Sequence, residues 1–203
     1  MLKLYYSPGA CSLSPHIALR EAGLTFDLEQ VDLKAKKTKT GEDYLKINPK
    51  GYVPALKLDD GYVLTEGPAI VQYIADQKPR LNLAPENGSP ERYRLQEWLT
   101  FIGTEIHKNF SPLFNPDAPE DYKKIAKQNL AKRFQYVDEK LKGQDYLTGS
   151  QFTVADGYLF TVTNWANYVQ IDLSPYPNLQ AYQARDAARP KVQDTLKAEG
   201  LLK

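Results

Sequence analysis

Cysteine is nearly absent from this chain: Cys11 is the one cysteine in 203 residues. A lone thiol excludes an internal disulfide framework and a cysteine-rich metal site, and it fits a reducing compartment. Histidine is almost as scarce, with only His16 and His107, and these two together with Cys11 have no metal-ligand spacing. No apolar run approaches the roughly 18 to 20 residues needed to span a bilayer. The start MLKLYYSPGACS lacks the long apolar core of a signal peptide, so a cytoplasmic protein without membrane contact is expected. Charge of one sign is missing as well. With 26 Lys and Arg against 25 Asp and Glu, there is no electrostatic case for binding nucleic acid or an anionic membrane. Neither a G-x-S-x-G elbow nor a phosphate loop occurs, so metal, phosphoryl and serine chemistry are not expected. The expected partner is a small molecule or another protein.

What is present falls into two halves with different patterning. In residues 1–80, Leu2 to Tyr6 reads as a strand, Leu13 to Ala22 as a helix ended by Gly23, and Phe26 to Leu33 as extended chain. Two more strands, Ala55 to Leu58 and Tyr62 to Thr65, flank the turn Asp59-Asp60-Gly61, and a helix follows from Gly67 to about Asp76. The order is βαβ, a connection, then ββα. Residues 81–90 lie in a stretch rich in proline, glycine and asparagine, the composition of a linker. Residues 91–203 read as helices: Glu91 to about Phe110, Glu120 to Lys142, Thr153 to about Val169, Asn178 to Ala188, and Lys191 to Lys197. Thr153-Val-Ala-Asp156 has the form of a capping box, which is a folding signal. Lys34 to Lys39 reads as a solvated loop.

Few residues can carry chemistry. Cys11 lies in a Pro8-Gly9-Ala10 turn between the first strand and the first helix, where the helix N-terminus favours an anion. With Ser14 where a second cysteine would complete a dithiol, only monothiol chemistry with an external thiol remains open. Pro54 pushes Val53 into extended backbone whose amide and carbonyl are available to a peptide-like ligand. Glu66-Gly67 sets a carboxylate beside helix-start amides, a corner that can hold a zwitterion. A lone helical histidine is more often structural than catalytic, and residue type alone gives that reading to both His16 and His107.

Four pieces taken together, Tyr6-Ser-Pro-Gly-Ala-Cys-Ser-Leu-Ser-Pro-His16, Asn48-Pro-Lys-Gly-Tyr-Val-Pro-Ala-Leu56, Leu64-Thr-Glu-Gly-Pro-Ala-Ile70 and Phe152-Thr-Val-Ala-Asp156, resemble the bacterial beta-class glutathione transferases, over essentially the whole chain. The resemblance implies an α/β plus all-α architecture: a thioredoxin-like N-terminal domain followed by an all-helical C-terminal domain that contributes the electrophile site and the dimer interface. It implies a homodimer, glutathione as co-substrate with no metal, and conjugation of the glutathione thiolate to small hydrophobic electrophiles. Thiol transfer and dehalogenation are variants of the same class. By the same resemblance the glutathione thiol lies beside Cys11 and its cysteinyl backbone against Val53, ahead of a cis-Pro54. The γ-glutamyl end meets Glu66 and Gly67, and the glycyl carboxylate meets Lys36. Thr104 and His107 approach the thiol, and Thr100 reaches the partner subunit's site. Cys11 and His107 are then the catalytic candidates, with Cys11 either a hydrogen-bond donor to the thiolate or a former of mixed disulfides. Tyr6, Phe110, Phe114 and Trp165 are candidate walls of the electrophile pocket. Gly67 stands where many other transferase classes carry serine, so its contact must come from the backbone. The competing reading is a non-catalytic adaptor of the same fold that binds a large protein partner.

Overall fold

The computed structural model describes residues 1–202. Within them the chain forms two compact units, Met1–Ala84 together with the C-terminal segment from Arg189, and Pro85–Ala188.

The first unit begins with β1 (Leu2–Tyr6), α1 (Leu13–Glu21) and β2 (Phe26–Asp32). Helix α1 stops in a glycine-dependent motif. Gly23 takes φ 61°, its amide donates to the Arg20 carbonyl, and the Leu24 amide reaches back to the Leu19 carbonyl, which satisfies the last-turn acceptors. Two short elements follow, β3 (Lys37–Thr38) and α2 (Tyr44–Ile47). Neither is apparent from the sequence, where the lysine run reads as plain loop. In fact Thr38 is buried and pairs with Val31 of β2. Strands β4 (Ala55–Lys57) and β5 (Val63–Thr65) and helix α3 (Gly67–Asp76) complete the set. The sheet order is β3-β2-β1-β4-β5. β1 and β2 are parallel, whereas β1–β4, β2–β3 and β4–β5 are antiparallel. Alternate faces of these strands, with α1 and α3, enclose Leu4, Ile17, Leu56, Ile70 and Ile74, all at 0 % exposure.

The second unit is helical: α4 (Pro90–Phe101), a π-helical segment Ile102–His107, α5 (Lys108–Phe114), α6 (Glu120–Leu141), α7 (Val154–Asn164) with a 3-10 turn at Trp165–Asn167, and α8 (Pro177–Ala187). Ser89 caps α4 by accepting from the Arg92 amide at 3.1 Å. At α7 the Asp156 carboxylate takes hydrogen bonds from the Thr153 amide at 2.7 Å and the Thr153 hydroxyl at 2.8 Å. The single helix expected over Glu91 to Phe110 is therefore interrupted by a wider turn and runs on to Phe114. Its apolar spacing at Ile102, Ile106 and Phe110 conceals the change of pitch, because all three are buried as a regular helix would bury them.

The last helix, α9 (Pro190–Ala198), differs from expectation in its allegiance. Sequence pattern assigns it to the helical half, yet it belongs to the first unit. Arg189 makes a forked pair with Glu21, Nε to Oε1 at 2.7 Å and Nη2 to Oε2 at 2.9 Å, and Glu199 at its end is bound to His16.

Candidate active site

The first unit gathers seven of the expected residues. The turn after β1 is tied by Ser12, whose hydroxyl accepts from the Ser7 amide at 3.1 Å and donates to the Ser7 carbonyl at 3.2 Å. The Gly9 amide donates to Glu199 Oε2 at 2.9 Å. These bonds fix Cys11 one residue before the cap of α1, half-buried and outside any disulfide. Its thiol donates to the Val53 carbonyl at 3.2 Å. That carbonyl, expected to stand open for a ligand, is therefore engaged by Cys11 itself. The Val53–Pro54 peptide is cis. The segment leading to it is held by Tyr44 and Asn48, which both donate to the Tyr52 carbonyl, at 3.0 and 2.8 Å.

Glu66 and Gly67 lie at the other side of this bend. A Cβ added to Gly67 would stand 3.9 Å from Pro54 Cγ, so the two positions adjoin and a serine would fit. Glu66 adopts φ 68° and ψ 113°, a costly backbone state for a residue with a side chain. Its Oε1 accepts from Lys50 Nζ at 2.6 Å and from the Tyr52 hydroxyl at 3.0 Å, and Lys50 also donates to Thr65 Oγ1 at 2.9 Å. Hydrogen bonding to Glu66 raises the Lys50 ammonium above the usual lysine range. Sequence reading missed Lys50 and Tyr52, although both sit inside the Asn48 to Leu56 motif. Lys36 is half-buried, also left-handed at φ 55°, and its ammonium donates to the Gly51 carbonyl at 2.6 Å. Tyr6 packs in this unit too, its ring centroid 6.1 Å from that of His16.

The second unit supplies the rest. Thr100 and Thr104 are exposed and linked by a 3.0 Å bond from the Thr104 hydroxyl to the Thr100 carbonyl. His107 ends the π-helical segment, where wider turns commonly mark functional positions. Its Nδ1 lies 2.7 Å from the Tyr158 hydroxyl, and its ring meets Trp165 edge-on at 4.9 Å. Burial depresses its pKa to about 4 and Lys108 adds to this, so the imidazole is neutral at physiological pH. Phe110, Phe114 and Trp165 form one cluster, with Trp165 5.5 Å from Phe110 and 5.6 Å from Phe114. Only Phe114 is substantially open, at 49 % exposure, whereas Phe110 is at 0 %. Phe110 is therefore a core residue that backs the cluster and not a wall. Among the described residues, no group of three or more His, Cys, Asp or Glu could hold a metal ion.

A thiol on a turn beside a cis-proline corner, on a five-stranded sheet of this order, together with a separate helical unit, defines the glutathione S-transferase class. Comparison with known proteins agrees. Family models for the glutathione S-transferase N-terminal domain match residues 9–77, and those for its C-terminal domain match residues 101–190. The chain belongs to this family. It is 54 % identical to glutathione S-transferase GstA of Escherichia coli O157:H7, across 98 % of this chain and 100 % of that one. Among solved structures, a ternary complex of BphK, a bacterial transferase, superposes with a TM-score of 0.97 at 62 % identity, covering 98 % of this chain and 100 % of that one. A sphingomonad glutathione S-transferase complexed with glutathione gives 0.95 at 51 %, covering 98 and 99 %. A beta-class transferase of Sphingomonas chungbukensis gives 0.96 at 52 %, covering 98 and 100 %. This chain is thus a transferase of the bacterial beta class, and the adaptor reading is set aside.

Proposed function

We propose that glutathione, the co-substrate of this transferase, lies along the first unit with its thiol beside Cys11 and its cysteinyl backbone against Val53. The observation that carries this reading is the 3.2 Å bond between the Cys11 thiol and the Val53 carbonyl, since a sulfur-bearing turn and a peptide-pairing edge stand one hydrogen bond apart. The γ-glutamyl ammonium goes to Glu66, its carboxylate to the Gly67 amide at the start of α3, and the glycyl carboxylate to Lys36. His107 and Thr104 of the second unit attend the sulfur, and Thr100 serves the site of a partner subunit. The electrophile is small and hydrophobic and meets Phe114, the open ring of the cluster, with the buried Trp165 behind it.

The active form is a homodimer whose contact includes α4. A cavity of 530 Å³ on the second unit, walled by Trp98, Phe101 and Tyr136, gives that face the aromatic content typical of interface anchors. A stable contact should bury more than about 1,000 Å² in total, and sedimentation at micromolar concentration should find a dimer. No helix among the described residues is long and apolar enough to cross a membrane, and a lone half-buried thiol suits the cytoplasm.

A thermal-shift titration tests the binding site. Glutathione at about 100-fold its dissociation constant should raise Tm by roughly 5 to 10 °C, and an S-alkyl analogue should do the same. No shift, together with no conjugation of electrophilic aromatics, epoxides or enones, would overturn the reading.

A further inference from the structure

One hydrogen bond decides what the imidazole of the second unit can do. His107 Nδ1 stands 2.7 Å from the Tyr158 hydroxyl. Tyr158 projects from α7 at 4 % exposure, and its ring crosses the imidazole at 80° with centroids 5.9 Å apart. Trp165 contacts the imidazole as a second aromatic plane, at 68° and 4.9 Å. The ring is therefore gripped by two aromatic neighbours and pinned at one nitrogen.

Either partner could supply the proton of this bond, and the two choices give the other ring nitrogen opposite properties. If the imidazole donates from Nδ1, then Nε2 carries a lone pair and can serve as a base. If the phenol donates, Nδ1 is the acceptor and Nε2 bears the hydrogen. A phenol ionises near pH 10, and the N–H of a neutral imidazole is a far weaker acid. The phenolic oxygen shares its lone pairs with its own ring and accepts poorly, whereas the bare imidazole nitrogen accepts well. The stronger acid donates to the stronger base.

We propose that Tyr158 is a positioning residue that donates to His107 Nδ1 and so presents His107 as a fixed Nε2–H hydrogen-bond donor. This rests on the reading that His107 attends the glutathione sulfur, and it specifies how. The thiol S–H bond breaks with its proton passing to water, the electron pair stays on sulfur, and Nε2–H donates to the resulting anion. The ring takes up no proton at any stage. His107 thereby stabilises a nucleophile that already exists, instead of generating it as a general base.

The test is the histidine tautomer of the whole enzyme, read by long-range proton–nitrogen correlation after nitrogen-15 labelling. With two histidines in the chain, a His107→Gln spectrum assigns the signals. Wild type should show His107 with its hydrogen on Nε2, and Tyr158→Phe should show a mixture of both tautomers. In steady-state conjugation of an aromatic halide, Tyr158→Phe should lower kcat about five- to tenfold while the KM for glutathione stays within about twofold. A wild-type spectrum with the hydrogen on Nδ1, or an unchanged tautomer in Tyr158→Phe, overturns the assignment. The wild-type spectrum alone decides the donor direction even if the variant fails to fold. Because it is recorded without glutathione, a chain inert toward glutathione would refute the functional reading and leave the tautomer result standing.

Discussion

The Glu199 carboxylate meets His16 Nδ1 at 2.8 Å, with neither side chain exposed. Its second oxygen accepts the Gly9 amide at 2.9 Å, and the far nitrogen of His16 accepts from Arg20 Nε at 3.1 Å. The C-terminal segment thus reaches into the turn that carries Cys11. Removing Glu199 takes the acceptor from two donors, the His16 Nδ1–H and the Gly9 amide, and a buried donor left unsatisfied costs about 1 to 3 kcal/mol. Glu199→Ala should lose stability on that scale in urea unfolding and should speed hydrogen exchange at the Gly9 amide. Unchanged exchange there would mean that Glu199 does not hold the turn.

Asp156 carries a second buried charge, with its pKa pushed up to about 6 by burial against the lowering effect of its hydrogen bonds from Leu147, Thr153 and Tyr182. A carboxyl whose folded pKa exceeds its unfolded value favours the fold when protonated. This contribution is complete below about pH 4 and is lost as pH rises through the folded value. A shift from 3.8 to about 6 corresponds to on the order of 3 kcal/mol. The margin of wild type over Asp156→Asn should therefore be larger at pH 4 than at pH 7 by about that amount. Parallel urea curves at the two pH values check it, and a margin that grew with pH would contradict the assignment.

Most of this fold is legible in the sequence because its signals are local. Leu2–Tyr6 and Gly67–Asp76 match the pattern to the residue, since an apolar run bounded by Pro8-Gly9, and a helix start at Gly67-Pro68, are decided by nearest neighbours. The strand Lys37–Thr38 escapes because two residues give no period to read. His16 and Glu199 are 183 positions apart, and His107 and Tyr158 are 51 apart, so no spacing rule pairs them. The Lys50–Glu66 bond fails for another reason. Glu66 stands out beside Gly67, but nothing on its own loop points to Lys50, and only the bend at Val53–Pro54 returns one to the other.

Backbone conformation at Glu66 supports a further prediction. With φ 68° and ψ 113° it occupies a region that costs a non-glycine residue about 1 to 3 kcal/mol. Such strain persists where the side chain has a task. Glu66→Gly should raise stability by roughly 1 kcal/mol, because its loss of an exposed pair with Lys50 costs little. The same variant should weaken glutathione binding by about ten- to a hundredfold, as expected for a lost hydrogen bond to a charged group. Calorimetric titration and urea unfolding on one preparation measure both. Lower stability with unchanged affinity would reverse the argument.

Cys11 is engaged before any ligand arrives, its thiol hydrogen directed at the Val53 carbonyl across 3.2 Å. In the proposed binding mode, a glutathione backbone paired with Val53 would offer that carbonyl an amide donor and so release the Cys11 hydrogen toward the incoming sulfur. A donor role predicts that Cys11→Ser keeps more conjugating activity than Cys11→Ala, because a hydroxyl still donates. Cys11→Ala should lose roughly ten- to a hundredfold in rate if one hydrogen bond to an anion is fully expressed in the transition state, and the pKa of bound glutathione should rise. A nucleophile role predicts the opposite division: disulfide reduction collapses in both variants, while conjugation of an aromatic halide survives in both, because glutathione supplies the attacking sulfur. Thiolate absorbance of the bound complex against pH, beside the two rates, separates the roles. Cys11→Ala with both rates, the glutathione affinity and the thiolate titration all unchanged would remove Cys11 from the catalytic site.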